Sequence, residues 1–331
     1  MSHGAVSRGE LGRVALGRTG LSVSTIGLGA SALGGVFGAV EESTAIATVH
    51  AALAAGINFF DTAPAYGATR SERVLGRALL GVPRDTYVLS TKAGKTTDDA
   101  GVDTFDYSER AIRDSVDSSR HRLGVDRLDI VHLHDFDYQA GRHVDQALAE
   151  GFPTLQALKT EGVIVAVGAG IYFMDLWKRV LVEVELDAAL LHNHHTLCDV
   201  RAFELLPLLE AKGVGFINAA PFGSGLLTGS EPPAWHPAPP EARALFSRAA
   251  AYAAEHGTSL PKLALGFSSQ EPRLSVTIFS CATPAVLAQN LAWAAEPVDR
   301  ELVASVQSIL EPVMNRQWAY GGTDPAGVGR R

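Results

Sequence analysis

An aspartate and a tyrosine five positions apart, in the run Phe60-Asp61-Thr62-Ala63-Pro64-Ala65-Tyr66-Gly67, are the residues best suited to chemistry. They follow the apolar segment Ile57-Asn58-Phe59, at the point where a strand begun there should end. Two further apolar runs end in the same way: Tyr87-Val88-Leu89-Ser90-Thr91 leads to Lys92, and Leu128-Asp129-Ile130-Val131-His132-Leu133 leads to His134. Ionisable groups at three successive strand exits converge on one face of a parallel barrel, the face where such folds keep their active sites. A free phenol, with a pKa of about 10, is a poor proton acceptor at neutral pH, and a nearby ammonium lowers that value. Lys92 can supply the charge, Asp61 can hold Lys92 protonated and in place, and His134 can hydrogen-bond the substrate oxygen that exchanges the proton. Such a set suits carbonyl–alcohol interconversion. No side chain carries hydride, so a nicotinamide cofactor is implied. Taken singly, these residues could be a rim salt bridge, a packed aromatic and a core histidine; their coincidence at matching strand exits favours a site.

Eight alternating units are expected to position them. The predicted strands are 25–28, 57–60, 87–90, 128–133, 163–167, 188–191, 214–217 and 275–279, preceded by a hairpin signal with its turn at Arg18-Thr19-Gly20. Helices are predicted over 42–55, 71–80, 108–123, 144–160, 174–184, 200–211, 241–256 and 284–295. Gly56, Gly162, Gly213 and Gly257 follow four of them, where a left-handed C-cap belongs. Strand–helix alternation implies a parallel sheet, and eight repeats suffice to close a (β/α)8 TIM barrel; a doubly wound open sheet is the rival. The expectation is one domain over 1–331, with 1–10 flexible and 311–331 a C-terminal tail whose Trp318 and Tyr320 fold over the barrel mouth. The proline-rich stretch 229–240 cannot be helix or interior strand. It reads either as a stiff connector or as a lid presenting Trp235 and His236.

The chain carries 28 basic and 36 acidic residues, a net charge of −8, which gives no reason to expect nucleic-acid or anionic-membrane binding. Small molecules are the expected partners. Its two cysteines, Cys198 and Cys281, lie far apart and outside metal-ligand spacing, as suits a reducing cytoplasm. No signal peptide or membrane-length apolar run is evident. His192, His194 and His195 could hold zinc, but no carboxylate or thiol at ligand spacing joins them apart from Cys198 and Asp199, so no metal is expected. His132, sharing a strand face with His134 one layer deeper, reads as an interior histidine.

The tetrad with its surroundings resembles the aldo-keto reductase superfamily. Ile217-Asn218-Ala219-Ala220-Pro221, Gly225-Leu226-Leu227-Thr228, Pro232-Pro233-Ala234-Trp235-His236-Pro237 and Pro312-Val313-Met314-Asn315-Arg316-Gln317-Trp318 are similar to the branch containing plant L-galactose and bacterial L-fucose or D-threo-aldose dehydrogenases. The resemblance implies that Tyr66 is the general acid/base, Lys92 its tuner, Asp61 the support of Lys92, and His134 the substrate-orienting group. It implies an enzyme, monomeric or homodimeric, that oxidises the anomeric hydroxyl of an aldose to a lactone. Alternatives are a dehydrogenase of another alcohol or hemiacetal such as pyridoxal, an NADPH-dependent aldehyde or ketone reductase, or a cofactor-binding interaction subunit. Trp235, His236 and Trp318 are the expected sugar-contacting residues.

For the cofactor, the resemblance implies contacts from Gly29, Ala30, Asp61, Gly170 and His192. Further contacts are implied from Pro221, Phe222, Gly223, Gly225 and Leu227, whose glycines let backbone amides approach a pyrophosphate. Ser280, Ala282, Gln289 and Asn290 complete the set on the adenosine side. This chain departs from the commoner pattern in three places. Gly168-Ala169-Gly170-Ile171 replaces a Ser–Asn pair that grips the carboxamide, His192 stands where Gln is usual, and Ala219 stands where a stacking Tyr is usual. After the eighth strand, Ser280 and Val286 stand where NADP-preferring members offer Lys and Arg, so NAD is the expected cofactor, with NADP disfavoured.

Overall fold

Short runs rich in Val, Ile, Leu and Phe alternate along the chain with longer Ala-, Leu- and Glu-containing stretches, and the two compositions become strand and helix respectively. The computed structural model describes residues 11–320. The expectations for 1–10 and for 321–331 lie outside the described residues. An antiparallel hairpin, β1 (Arg13–Ala15) and β2 (Ser22–Ser24), comes first. The barrel begins with β3 (Ile26–Gly29), β4 (Phe59–Asp61) and β5 (Val88–Ala93). A small antiparallel hairpin, β6 (Lys95–Thr97) and β7 (Asp103–Phe105), leaves β5. The barrel continues with β8 (Leu128–His134), β9 (Ile164–Ile171), β10 (Ala188–His192), β11 (Gly215–Ala219) and β12 (Val276–Ser280). Each barrel strand pairs in parallel with its neighbour, and β12 closes on β3 in the register Thr277↔Ile26 to Ser280↔Gly29. That last pairing makes the sheet a closed (β/α)8 barrel, as the alternation predicted, and excludes the open sheet.

The helices are α1 (Glu42–Ala54), α2 (Arg70–Ala78), α3 (Glu109–Leu123) and α4 (Val144–Gln146), which runs through a π turn (Ala147–Gly151) into α5 (Phe152–Thr160). They continue as α6 (Met174–Glu183), α7 (Ala202–Lys212), α8 (Pro240–Glu255), α9 (Leu260–Ser269), α10 (Pro284–Ala295) and α11 (Arg300–Leu310). All four glycines expected at helix ends have positive φ. Three elements go beyond the eight-unit reading. Two helices, α8 and α9, fill one connection; α11 follows the last unit, capped by Asp299, whose Oδ1 accepts from the backbone of Glu301 and Leu302; and the β6–β7 hairpin is the third.

Two cores result. The larger lies between strands and helices. A smaller plug fills the lower barrel, where Leu16 and Val23 of the β1–β2 hairpin meet Phe59, Val88, Ile130, Ala166, Ile217 and Val276. Two residues further along each strand, side chains point inward again one layer higher. On β4, β5 and β8 those positions turn polar: Asp61, Ser90 and His132, then Lys92 and His134. Sealed from below, this polar layer meets solvent only at the C-terminal mouth. The proline-rich stretch 229–240 crosses that mouth as irregular chain until Pro240 opens α8.

Candidate active site

Asp61 ends β4, and the chain then turns sharply through Pro64 to reach α2. Tyr66 sits in this turn, its N–H donating to the Ala63 carbonyl at 3.1 Å. Gly67 is required beside it: its φ is +61°, and a Cβ there would lie 2.0 Å from the Gly34 carbonyl oxygen. Thr62 and Ser71 hydroxyls, 2.8 Å apart, tie the turn to the Ala30 carbonyl, which Ser71 reaches at 2.7 Å. Tyr66 therefore enters the mouth on a braced turn.

Lys92 Nζ donates to Asp61 Oδ2 at 2.6 Å and to the Thr62 carbonyl at 2.7 Å. The side chains of the pair are 1% and 4% exposed. The ammonium lies 5.1 Å from the centre of the Tyr66 ring. Burial is the largest single influence on Lys92 and acts to lower its pKa, but the charges and hydrogen bonds of Asp61 and Tyr66 together outweigh it and the net direction is up. Burial also raises Tyr66, against a downward pull from Lys92, and burial prevails. The expected lowering by Lys92 is thus present as an opposing influence, while the net displacement of the phenol is upward.

His134 ends β8 with its ring edge-on to Tyr66, centroids 6.0 Å apart. Burial pushes its pKa down to about 3, against the upward effect of the adjacent Asp135. A neutral imidazole results. Its Nδ1 is buried without a partner, while its Nε2 stands 3.5 Å from Asp135, longer than an ordinary hydrogen bond, and is the nitrogen left for a substrate oxygen. Asp135, unnamed in the sequence reading, adopts φ +51°, a conformation an L-residue rarely holds. Its Oδ2 lies 3.0 Å from Lys95 Nζ on β6 and 3.5 Å from His134 Nε2. The signal for it was its place directly after His134 at a strand exit.

One wall of the mouth, formed by β4, β5 and β8, is therefore polar and charged. The opposite wall is bare. At Gly170, paired with His134 across β8 and β9, an added Cβ would meet nothing closer than 3.9 Å. Beyond it the loop after β11 carries Ala220, Gly223, Ser224 and Gly225 at positive φ, a tight coil in which the N–H groups of Gly223 and Gly225 donate to the Ala220 and Phe222 carbonyls and no side chain larger than serine stands at these four positions. His192 Nε2 lies 3.2 Å from Ser224 Oγ, and Asn193 Nδ2 donates to the same oxygen at 2.9 Å, leaving Asn193 Oδ1 buried and unpaired. Gly29 and Ala30 line the end of β3, where Ala30 N–H bonds the Asp61 carbonyl. Pro221 and Phe222 enter the loop, and buried Leu227 closes it by donating to the Phe222 carbonyl at 3.0 Å. Ser280 accepts from the Ala32 N–H at 2.8 Å; Ala282 follows it, and on α10 Gln289 is exposed and Asn290 buried. The open space at Gly170 beside a neutral histidine, the small-residue loop at 223–225 and the unpaired Asn193 oxygen fit a nicotinamide dinucleotide.

The three clustered histidines diverge. β10 ends at His192, and Asn193 at φ +64° breaks the alternation that would have aligned His194 with it. His194 bonds the Tyr172 carbonyl and approaches Asp199 at 3.5 Å, while His195 stacks on Phe267 at 4.9 Å. Above the mouth, Trp235 is 51% exposed and lies 6.2 Å from Phe37, an exposed aromatic of the loop after β3 that the sequence reading did not single out. Its place in the run Gly34-Gly35-Val36-Phe37-Gly38 was the available signal. His236 is buried and bonds Tyr320 Oη at 2.9 Å; Trp318, 7% exposed, packs edge-on against His236 and donates its N–H to Tyr172 Oη at 2.8 Å.

Such a barrel, with an acid–base cluster at one side of its mouth and small residues at the other, has the form of a barrel oxidoreductase. Residues 25–311 match the Aldo/keto reductase family, and this chain belongs to it. It is 40% identical over 316 residues to the L-galactose dehydrogenase of Arabidopsis thaliana, covering 93% of this chain and 97% of the plant protein. It is 35% identical over 313 residues to a D-threo-aldose 1-dehydrogenase of a Pseudomonas species, covering 87% and 94% respectively. Among solved structures, a putative aldo-keto reductase from Pseudomonas aeruginosa superposes with a TM-score of 0.65 at 28% identity, over 86% of this chain and 94% of that one. Members of the family use nicotinamide cofactors.

Proposed function

We propose that this protein is an NAD-dependent dehydrogenase that oxidises the anomeric hydroxyl of a cyclic aldose, of the L-galactose, L-fucose or D-threo-aldose type, to the lactone. The observation that carries the reading is the juxtaposition of Tyr66, Lys92 and neutral His134 around one point of the mouth. The sugar's anomeric oxygen takes that point, donating to Tyr66 and receiving a hydrogen bond from His134. Bound nicotinamide supplies the hydride acceptor. Tyr66, drawn toward the phenolate by Lys92, accepts the hydroxyl proton, and the carbonyl oxygen that forms stays hydrogen-bonded to His134. Asp61 keeps Lys92 charged and aimed. Trp235 and Phe37 offer aromatic faces to the apolar side of a pyranose.

Gly170, His192, Asn193 and the small-residue loop at 223–225 are the groups that would hold the nicotinamide and pyrophosphate. NAD is favoured because the adenosine side presents Ser280, already bonded to Ala32, and exposed Val286, with no cation at either position for a 2′-phosphate. Cys198 and Cys281 are free and buried, and a reducing cytoplasm, where thiols stay unpaired, is the compartment this reading assigns. Among the described residues no helix is long and apolar enough to cross a membrane. The test is a panel of aldoses offered with NAD and with NADP, following absorbance of the reduced nicotinamide. Turnover of L-galactose, L-fucose or a D-threo-aldose with NAD is expected; reduction of simple aldehydes with NADPH and no sugar oxidation would replace this reading with a reductase.

A further inference from the structure

Beneath the tetrad lies a second set of polar side chains that proton transfer itself does not use. Asp61 Oδ1, the oxygen not facing Lys92, accepts a hydrogen bond from Ser90 Oγ at 2.7 Å. Ser90 Oγ in turn lies 3.1 Å from His132 Nε2. Both Ser90 and His132 are fully buried, directly above an apolar plug to which the same strands contribute Val88 and Ile130. A serine hydroxyl has one proton, and a carboxylate only accepts. Ser90 therefore gives its proton to Asp61, and its lone pair must receive the Nε2–H of His132. That order fixes the tautomer of His132. Burial, reinforced by the charge of Lys92, keeps the ring neutral, well below the ordinary imidazole range.

The arrangement is maintained at a cost. His132 Nδ1 is buried without a partner, and such a group destabilises the fold. Room for the ring exists only because β9 carries Gly168, where a Cβ would lie 2.1 Å from Nδ1. Valine and isoleucine fill the equivalent inward positions one layer below and would fit without an unpaired nitrogen. What they could not provide is a donor for the second oxygen of Asp61.

We propose that Ser90 and His132 are positioning residues for Tyr66, acting through Asp61: they fix the carboxylate so that Oδ2 meets Lys92 Nζ and Lys92 stays aimed at the phenol. The proposal rests on the proton-acceptor role of Tyr66 given above. The titratable groups facing Tyr66 are Asp61 from β4, Lys92 from β5, His134 and Asp135 from the end of β8, and Tyr138 beyond it; Ser90→Ala changes none of them. Loss of the Ser90 donor leaves the Asp61 charge less dispersed and Lys92 less well held, and both effects raise the phenol. The alkaline-rising limb of kcat for sugar oxidation should move up by about one pH unit in Ser90→Ala, roughly a tenfold loss of turnover on the acid side of the limb. His132→Leu should move it in the same direction, and His132→Gln, which keeps a donor near Nε2, should restore the parental limb.

The experiment is the pH profile of kcat for parent, Ser90→Ala, His132→Leu, His132→Gln and Tyr66→Phe, with thermal unfolding measured for each. A purely structural role would lower melting temperatures and leave the limb where it was; that result overturns the proposal. If Ser90→Ala does not fold, the comparison of His132→Leu with His132→Gln decides the matter by the same criterion. Full turnover in Tyr66→Phe would instead overturn the proton-acceptor reading on which the proposal stands. Loss of turnover there, with an unmoved limb in the Ser90 and His132 variants, would refute the positioning role alone.

Discussion

Replacing Lys92 with Met removes the ammonium and keeps most of its volume. The carboxylate of Asp61, 4% exposed, then loses its 2.6 Å partner and retains only the hydrogen bond from Ser90. Removing one member of a buried ion pair costs about 3–5 kcal/mol, because the other charge stays behind. The Thr62 carbonyl also loses its 2.7 Å donor, which places the expectation near the upper end of that range. At about 2 °C per kcal/mol for a large domain, the melting temperature should fall by roughly 8–10 °C. Asp61→Asn in the same chain removes the stranded charge while its amide oxygen can still accept from Ser90. The double variant should therefore be more stable than Lys92→Met by at least about 2 kcal/mol, a non-additivity expected only of contacting groups. Both variants should lose turnover by about 10²–10⁴-fold, since neither draws Tyr66 toward the phenolate. Thermal and urea unfolding at neutral pH, with sugar oxidation measured on the folded fractions, provide the readings. A Lys92→Met protein as stable as its parent, or a double variant less stable than the single, would refute the account of a buried, mutually dependent pair.

Val286 is 43% exposed at the start of α10, so Val286→Arg should leave stability unchanged and improve kcat/KM for NADP by roughly tenfold or more, at about 1.5–3 kcal/mol per charge-assisted contact; Ser280→Lys is the poorer choice because it removes the acceptor of the Ala32 N–H. Trp235→Ala should raise KM for the sugar with little change in melting temperature, whereas Trp318→Ala, emptying a buried site, should cost about 3–5 kcal/mol of stability; the reverse pattern in paired kinetics and melts would exchange their roles. Burial raises Asp137 to about 7, so its folded form binds a proton that the unfolded chain, at its ordinary carboxylate value, has released, and stability is lost as pH rises between those two values. Asp137→Asn, whose amide oxygen can still accept from the Tyr172 and Phe173 N–H groups, should remove this dependence and gain on the parent by up to about 1.4 kcal/mol per pH unit until pH 7, then level off; parallel denaturation curves from pH 5 to 8 check it.

The barrel was legible because parallel strands buried on both sides leave uninterrupted apolar runs, and because each run on the catalytic side ends on a residue that would be costly anywhere but at a mouth. What escaped detection lacks that contrast. α9 directly follows α8 within one connection, so strand–helix alternation hides it, although Pro261 in its first turn is a helix-start signal. The β6–β7 hairpin packs little apolar surface, and its Asp98 turn resembles an ordinary loop in sequence. At the site, residue type revealed Asp61, Lys92 and His134, whereas Asp135 and Phe37 matter through where their loops lead, which no local pattern encodes. Ser90 was read as a strand residue because a hydroxyl has no periodic signature. The net rise of the Tyr66 pKa depends on how much water the fold excludes, and that quantity exists only once the walls have closed.

The polar and bare walls have a consequence for how such a chain can be rebuilt. Strands β4, β5 and β8 are contiguous in the barrel and in sequence order, and so are β9 to β12. A crossover placed in the α5 region would separate nearly all the acid–base side chains from the glycine-lined strands and the loop at 223–225. On the roles proposed above, recombining the two parts among family members should exchange cofactor handling while leaving the proton machinery intact, provided the donor halves match at both seams: β8 with β9, where Gly168 meets His132 and Gly170 pairs with His134, and β12 with β3, where Ser280 accepts from Ala32.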